Sequence, residues 1–202
     1  EVTLNTQNSW QSVIADLPKY NSTTRNTITY SINEANVPDG YYLSNIVQST
    51  VEGGEKFTLT NSKYGKIDIT KVDSKDQNIK LGGAEFKLEK LTADGKDVDT
   101  NFTAVTQTTS SETALLGTTM FTNLEYGKYR LTETKAPEGY HILKEPVEIE
   151  ISAANVEQAL TISDKLKPTL PATGGKGQIV LIAFGVAVLS IVIKLKLQRE
   201  KE

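Results

Sequence analysis

From residue 65 to residue 164 the apolar side chains recur at every second position, and that period limits the fold more than any other feature of the chain. Ile67 and Ile69 alternate with Lys66, Asp68 and Thr70; Ala84, Phe86 and Leu88 alternate with Glu85 and Lys87; Val147, Ile149 and Ile151 alternate with Glu148 and Glu150. Successive side chains of a strand point to opposite faces, so a period of two marks strands with one buried face and excludes amphipathic helices. Turn chemistry separates the runs at Gly82-Gly83, Asp94-Gly95, Tyr126-Gly127 and Pro137-Glu138-Gly139. Short alternating strands with this punctuation predict an all-β fold, an antiparallel sandwich or barrel. The Thr- and Ser-rich segment 103–119 is weakly patterned and reads as a long loop with one poorly marked strand.

Residues 1–64 carry the same design in shortened form. Tyr30-Ser31-Ile32-Asn33-Glu34 followed by Pro38-Asp39-Gly40-Tyr41 has the spacing of Tyr129-Arg130-Leu131-Thr132-Glu133 followed by Pro137-Glu138-Gly139-Tyr140. Farther on, Phe57-Thr58-Leu59-Thr60-Asn61 matches Leu160-Thr161-Ile162-Ser163-Asp164. Two tandem copies of one module follow from this. Glu34 has too few residues ahead of it for the strands that precede Glu133, so the first copy is expected to lack its opening strands.

Three ionisable residues fall on the apolar side of their strands. Lys71 shares parity with Ile67 and Ile69, Glu133 with Tyr129 and Leu131, and Asp164 with Leu160 and Ile162. In the first copy Glu34 follows Tyr30 and Ile32, and Asn61 follows Phe57 and Leu59, in the same way. A strand-end position with a rim salt bridge, worth roughly 0–1 kcal/mol, would account for any one of them. The coincidence of three, two of them repeated in the other copy, favours an inward cluster, and a buried charge must be paired, neutralised or reacted. No lysine of the first copy suits Glu34 and Asn61. Lys19 lies in a Pro-containing turn, and Lys56 and Lys63 flank Asn61 on its own strand, so the partner amine is expected ahead of Glu1.

The C-terminal part is of another kind. Leu170-Pro171-Ala172-Thr173-Gly174 leads into the apolar run 179–193, which ends at Lys194, Lys196, Arg199 and Lys201. A membrane helix needs about 20 apolar residues, a length reached when Leu195 and Leu197 are counted and the intervening lysines snorkel. A buried core helix of this length would carry its apolar residues on one stripe, whereas this run is apolar all round. Basic residues after the run keep that end cytoplasmic and place the rest of the chain outside the cell.

Composition narrows the function. A net charge of −3 provides no basic field for nucleic acid. There is no cysteine for a disulfide staple. No phosphate loop or metal cluster is present, and Asp68 with Asp73 reads as an ordinary polar pair; neither a metal nor a cofactor is expected. His141, the single histidine, reads as a solvated turn residue. Glu1-Val2-Thr3-Leu4 lacks the basic and apolar regions of a signal peptide, so export implies that one was removed or that the chain is the C-terminal piece of a longer protein.

Two resemblances sharpen these expectations. The pentapeptide at 170–174, the apolar run and the basic tail together resemble the LPxTG cell-wall sorting signal of Gram-positive surface proteins. That resemblance implies a sortase as partner, cleavage after Thr173, and transfer of its acyl group to a peptidoglycan cross-bridge amine or a pilin lysine. The helix would then be only a transient membrane anchor. Lys71-Val72-Asp73, Leu81-Gly82-Gly83-Ala84-Glu85-Phe86, Tyr126-Gly127-Lys128-Tyr129 and Glu133-Thr134-Lys135-Ala136-Pro137-Glu138-Gly139-Tyr140 resemble SpaA-type B domains of pilins and adhesins. The first copy, with Trp10 and Leu17-Pro18-Lys19-Tyr20, is similar to the collagen-adhesin B-type repeat. Such modules are immunoglobulin-like, Greek-key β-sandwiches with a spontaneous isopeptide bond. The resemblance implies Lys71 as nucleophile, Asp164 as electrophile and Glu133 as catalytic acid, with Glu34 and Asn61 as first-copy counterparts. A dry core favours the neutral amine and neutral acid, the forms that react.

The expected organisation is a truncated B-type module at 1–64, a complete SpaA-like module at 65–165, a linker with the sorting motif at 166–178, a membrane helix at 179–197 and a charged tail at 198–202. The expected function is a sortase-anchored, self-crosslinked stalk of an adhesin or pilus subunit, not a turnover enzyme, with other pilins or a host extracellular-matrix protein as further partners. The alternative is a wall-anchored spacer for a surface enzyme or ligand-binding head upstream.

Overall fold

The computed structural model describes residues 1–168. The sorting motif at 170–174, the expected membrane helix at 179–197 and the charged tail lie outside the described residues. Among the described residues no helix is long and apolar enough to cross a membrane.

Among the described residues nine strands carry the fold: β1 (Tyr41–Val51), β2 (Gly54–Lys63), β3 (Gly65–Asp73), β4 (Glu85–Lys90), β5 (Val105–Thr108), β6 (Thr118–Leu124), β7 (Gly127–Lys135), β8 (Val147–Ile151) and β9 (Glu157–Asp164). β1 and β2 form a two-stranded hairpin, β6-β3-β9 a three-stranded sheet, and β5-β4-β7-β8 a four-stranded sheet. The inward residues of the latter two sheets make one core. Ile67, Ile69, Phe121, Leu124 and Ile162 come from one sheet, and Phe86, Leu88, Tyr129, Leu131, Ile149 and Ile151 from the other. The alternation of β3, β4, β7 and β8 is what builds this sandwich: each contributes every second residue to the core and turns the others outward.

Two expectations need correction. The sandwich is not wholly antiparallel, because β3 runs parallel to β9 over eight residue pairs, from Lys66↔Glu157 to Asp73↔Asp164. Parity assigns faces but not neighbours, and the closing strand of the sandwich returns beside the opening one. The segment 103–119 is also more structured than a loop: β5 pairs with β4, a 3-10 turn covers Thr113–Leu115, and β6 begins at Thr118 beside β3. Its partly exposed strand faces tolerate threonine and serine, which hides the apolar period.

The first forty residues form no strand. A 3-10 turn at Thr6–Asn8 is capped by Asn5, a bridge joins Tyr20 and Thr27, and Trp10, Val13, Ile14 and Leu17 are exposed. The segment 30–34, expected to match part of β7, is not a strand here. Without a facing sheet its alternate apolar residues have nothing to bury against. Only Tyr64 separates β2 from β3. The Tyr42 ring stacks on Tyr64 at 4.9 Å and meets Tyr126 edge-on at 6.0 Å, and the Tyr42 hydroxyl accepts from the Tyr126 N–H at 2.7 Å.

Candidate functional site

Three side chains from three strands meet at one end of the core. Lys71 is on β3, Glu133 on β7 and Asp164 ends β9. The parallel register sets Lys71 beside Ile162, two positions before Asp164, and the long lysine side chain reaches along β9 to it. From the opposite sheet the register brings Glu133 next to Phe86. Lys71 is fully buried, and Glu133 and Asp164 are 3% and 2% exposed.

Lys71 Nζ donates to Asp164 Oδ1 at 2.5 Å and lies 3.1 Å from Glu133 Oε1. The second contact is an ion-pair approach rather than an aligned hydrogen bond, because Glu133 Oε1 has no hydrogen-bond partner. Asp164 Oδ2 has none either. Glu133 Oε2 accepts from the Leu143 N–H at 2.6 Å, and the Phe86 ring centroid is 5.5 Å from the lysine nitrogen.

One cation against two carboxylates would leave a net negative charge in a dry site, which is expensive. Burial pushes the Glu133 carboxyl above its ordinary range. The Leu143 N–H and Lys71 oppose that shift, and the Asp164 charge adds to it. Burial thus makes Glu133 hold its proton more tightly than an ordinary glutamate does, while the amine touches Asp164. The arrangement can bring an amine and a carboxyl to reacting distance with a proton donor beside them and water excluded.

The backbone of Lys71 is clamped from both sides. Its N–H donates to the Gly117 carbonyl at 2.7 Å, and its carbonyl accepts from the Leu81 N–H at 2.9 Å. Gly117 has φ +72°, and a Cβ there would lie 2.8 Å from both the Lys71 carbonyl oxygen and the Leu81 nitrogen. Thr109, buried nearby, accepts from the Ala84 N–H and donates to the Leu81 carbonyl. None of these supports is visible in the period of the sequence.

Asp73 is the residue that sequence reasoning missed. Asp68 sits in an ordinary half-exposed ion pair with Lys66 at 3.0 Å, whereas Asp73 is buried at the end of β3. Its Oδ1 accepts from the N–H groups of Lys75 at 2.6 Å and Asp76 at 3.1 Å. These donors hold its carboxyl below the usual range. The signal was an aspartate at a strand end followed by Ser74-Lys75-Asp76, an Asx turn. In the first copy Asn61 Nδ2 donates to Glu34 Oε1 at 2.9 Å, so those two also meet, and the buried Glu34 Oε2 lacks a partner. His141 is exposed.

Comparison with known proteins identifies three regions of the chain. The Cna protein B-type domain matches residues 1–62 and the LPXTG cell wall anchor motif matches residues 163–202. Fimbrial subunit type 2 of Actinomyces naeslundii is 30% identical over 161 residues, covering 65% of this chain and 30% of that protein. Fimbrial subunit type 1 of Actinomyces viscosus is 26% identical over 163 residues, covering 64% and 31%. The chain thus spans about a third of the length of these relatives. Among solved structures, the major pilin subunit BcpA of Bacillus cereus is similar at 29% identity and TM-score 0.45, over 65% of this chain and 41% of that one. The SpaA prealbumin-like fold domain matches residues 65–166, just over half of the chain, and the chain belongs to that family.

Proposed function

We propose that this chain is a load-bearing, wall-anchored stalk of a pilus or fimbrial subunit, and that an isopeptide bond between Lys71 and Asp164 locks its sandwich. The observation that carries the reading is a fully buried lysine nitrogen 2.5 Å from one carboxylate and 3.1 Å from another, with the second Asp164 oxygen, Oδ2, left without a hydrogen bond. A structural ion pair in such a place would be expected to satisfy its oxygens.

The reaction balances without a cofactor. The unprotonated Nζ attacks Cγ of Asp164 while protonated Glu133 hydrogen-bonds the carbonyl oxygen. A C–N bond forms, the C–O bond to the other Asp164 oxygen breaks, and one water leaves: that oxygen carries one proton passed to it from the Lys71 ammonium, and the attacking amine supplies the second. Glu133 ends as it began, so the step is a single intramolecular event. Glu34 and Asn61 are the corresponding acid and acceptor of the first copy.

Sortase cleavage after Thr173 of the 170–174 motif would join the stalk to a peptidoglycan cross-bridge amine or to a further pilin, with residues 179–197 as the transient membrane anchor. The match of 163–202 to the anchor motif supports this half.

Intact mass of the purified chain tests the bond. One water should be missing, digestion should yield a branched peptide joining Lys71 to Asp164, and Glu133→Ala should restore the full mass. A full mass in the unaltered chain would overturn the reading.

A further inference from the structure

The segment between β7 and β8 ties two parts of the site together. Its residues 139–141 run antiparallel to 165–167, the stretch that leaves β9 just past Asp164. The His141 N–H donates to the Lys165 carbonyl at 2.9 Å, the Lys167 N–H donates to the Gly139 carbonyl at 2.8 Å, and Tyr140 bridges Leu166 between them. Gly139 turns the chain into this pairing at φ +82°, a left-handed conformation that glycine takes without strain.

Two residues past His141 the same segment reaches the acid. The Leu143 N–H donates to Glu133 Oε2 at 2.6 Å, and the Leu143 side chain packs against the core. His141 and Ile142 are exposed, so the segment crosses the surface as a strap between its seat on 165–167 and the carboxyl of Glu133. Glu133 Oε1 accepts no hydrogen bond and lies 3.1 Å from Lys71 Nζ. The Leu143 amide is thus the donor that fixes how the carboxyl is turned.

The turn matters because the two oxygens of a protonated carboxyl differ: one accepts as a carbonyl, and the other carries the hydrogen and donates. An amide donor at 2.6 Å selects Oε2 as the accepting oxygen. Oε1 is then the oxygen that bears the proton when Glu133 acts as an acid, and it is the one facing the amine. With the carboxyl turned over, the O–H would meet the Leu143 N–H, donor against donor.

We infer that the 139–143 strap, seated on residues 165–167, is the positioning device of this site: it aims Glu133 Oε1 at Lys71 and Asp164 once the chain beyond Asp164 has docked. Leu143 and Lys167 act through their amides and do not touch the reacting atoms. The inference rests on the proposed condensation of Lys71 with Asp164 for its chemical consequence, and it adds a condition to it. A sandwich folded only as far as Asp164 holds the amine and both acids but lacks the seat of the strap, so condensation waits for the module to be complete.

The full chain made by cell-free synthesis in detergent can carry leucic acid, the hydroxy-acid analogue of leucine, at position 143. That exchange removes one N–H and keeps the side chain. Loss of water, timed by intact mass, should be at least about tenfold slower than in the unaltered chain. Leu143→Ala, which keeps the N–H, should stay close to the unaltered rate. Lys167→Pro, which removes the donor to Gly139, should slow condensation as well, whereas Lys167→Ala should not. The Leu143 amide gives a second reading that does not need the bond: its proton resonance should move upfield in Glu133→Ala, and its hydrogen exchange should quicken in Lys167→Pro but not in Lys167→Ala. A chain of full mass with this amide signature would sink the crosslink while supporting the strap. Equal condensation rates with and without the 143 N–H, or a Leu143 amide indifferent to Glu133→Ala, would overturn the inference.

Discussion

A lysine sealed in the core persists only if its charge is answered, and here the answer is asymmetric: one amine faces two carboxyls. Glu133 carries the consequence. Its folded pKa is raised by burial from the ordinary 4.5, so the folded chain keeps a proton that the unfolded chain releases as pH rises through that value. That contribution is full below 4.5 and is lost as pH climbs toward the folded pKa. Asp73 works in the other sense. The Lys75 and Asp76 amides hold its carboxyl below the ordinary 3.8, so its contribution is present above 3.8 and is lost as pH falls through the folded value. Thermal melts between pH 8 and pH 3 should therefore pass through a maximum at about pH 4 to 5. Glu133→Gln should flatten the alkaline side and Asp73→Asn the acid side; melts in which neither variant alters either arm would contradict this assignment.

At the scale of elements, the alternating strands were legible because each buries one face and the other is wet. Parity alone put Lys71, Glu133 and Asp164 on the core side, since no competing rule acts on a regular strand. What parity could not supply was the neighbour of each strand, hence the unexpected parallel pairing of β3 with β9. Nor could it find β6, whose Thr118-Thr119-Met120 opening is mostly on the surface. The supports of the site were hidden for a different reason: Gly117 and Thr109 act through backbone contacts that leave no periodic trace. Gly117→Ala tests how much the clamp matters. The alanine would take a left-handed φ, costing about 1–2 kcal/mol, and its Cβ would press on the Lys71 carbonyl and the Leu81 nitrogen. A loss of more than about 2 kcal/mol in denaturant unfolding is expected, together with slower condensation of Lys71 with Asp164 in freshly refolded chain. An unchanged midpoint would mean that the loop carrying Gly117 can move away.

For the whole molecule the important geometry is that β3 opens the sandwich and β9 closes it, side by side and parallel. Load applied from the two ends of the chain would enter at the Gly65 end of β3 and leave past Asp164 at the far end of β9, shearing the ladder between them. Lys71 lies near the far end of β3 and its partner at the far end of β9, 93 positions apart in sequence. A bond there routes tension along six residues of β3, across the crosslink and out, leaving the core unloaded. In the chain-entropy model such a closure also contributes about 4–5 kcal/mol against unfolding. Single-molecule pulling with handles at Glu1 and Pro168 separates the two states. With the bond in place, extension should come only from residues outside the 71–164 loop. Lys71→Ala should add a step of about 300 Å, the contour of the freed segment at roughly 3.3–3.6 Å per residue. A step of that size in the unaltered chain would show that its load runs through the folded core and not through a covalent bond.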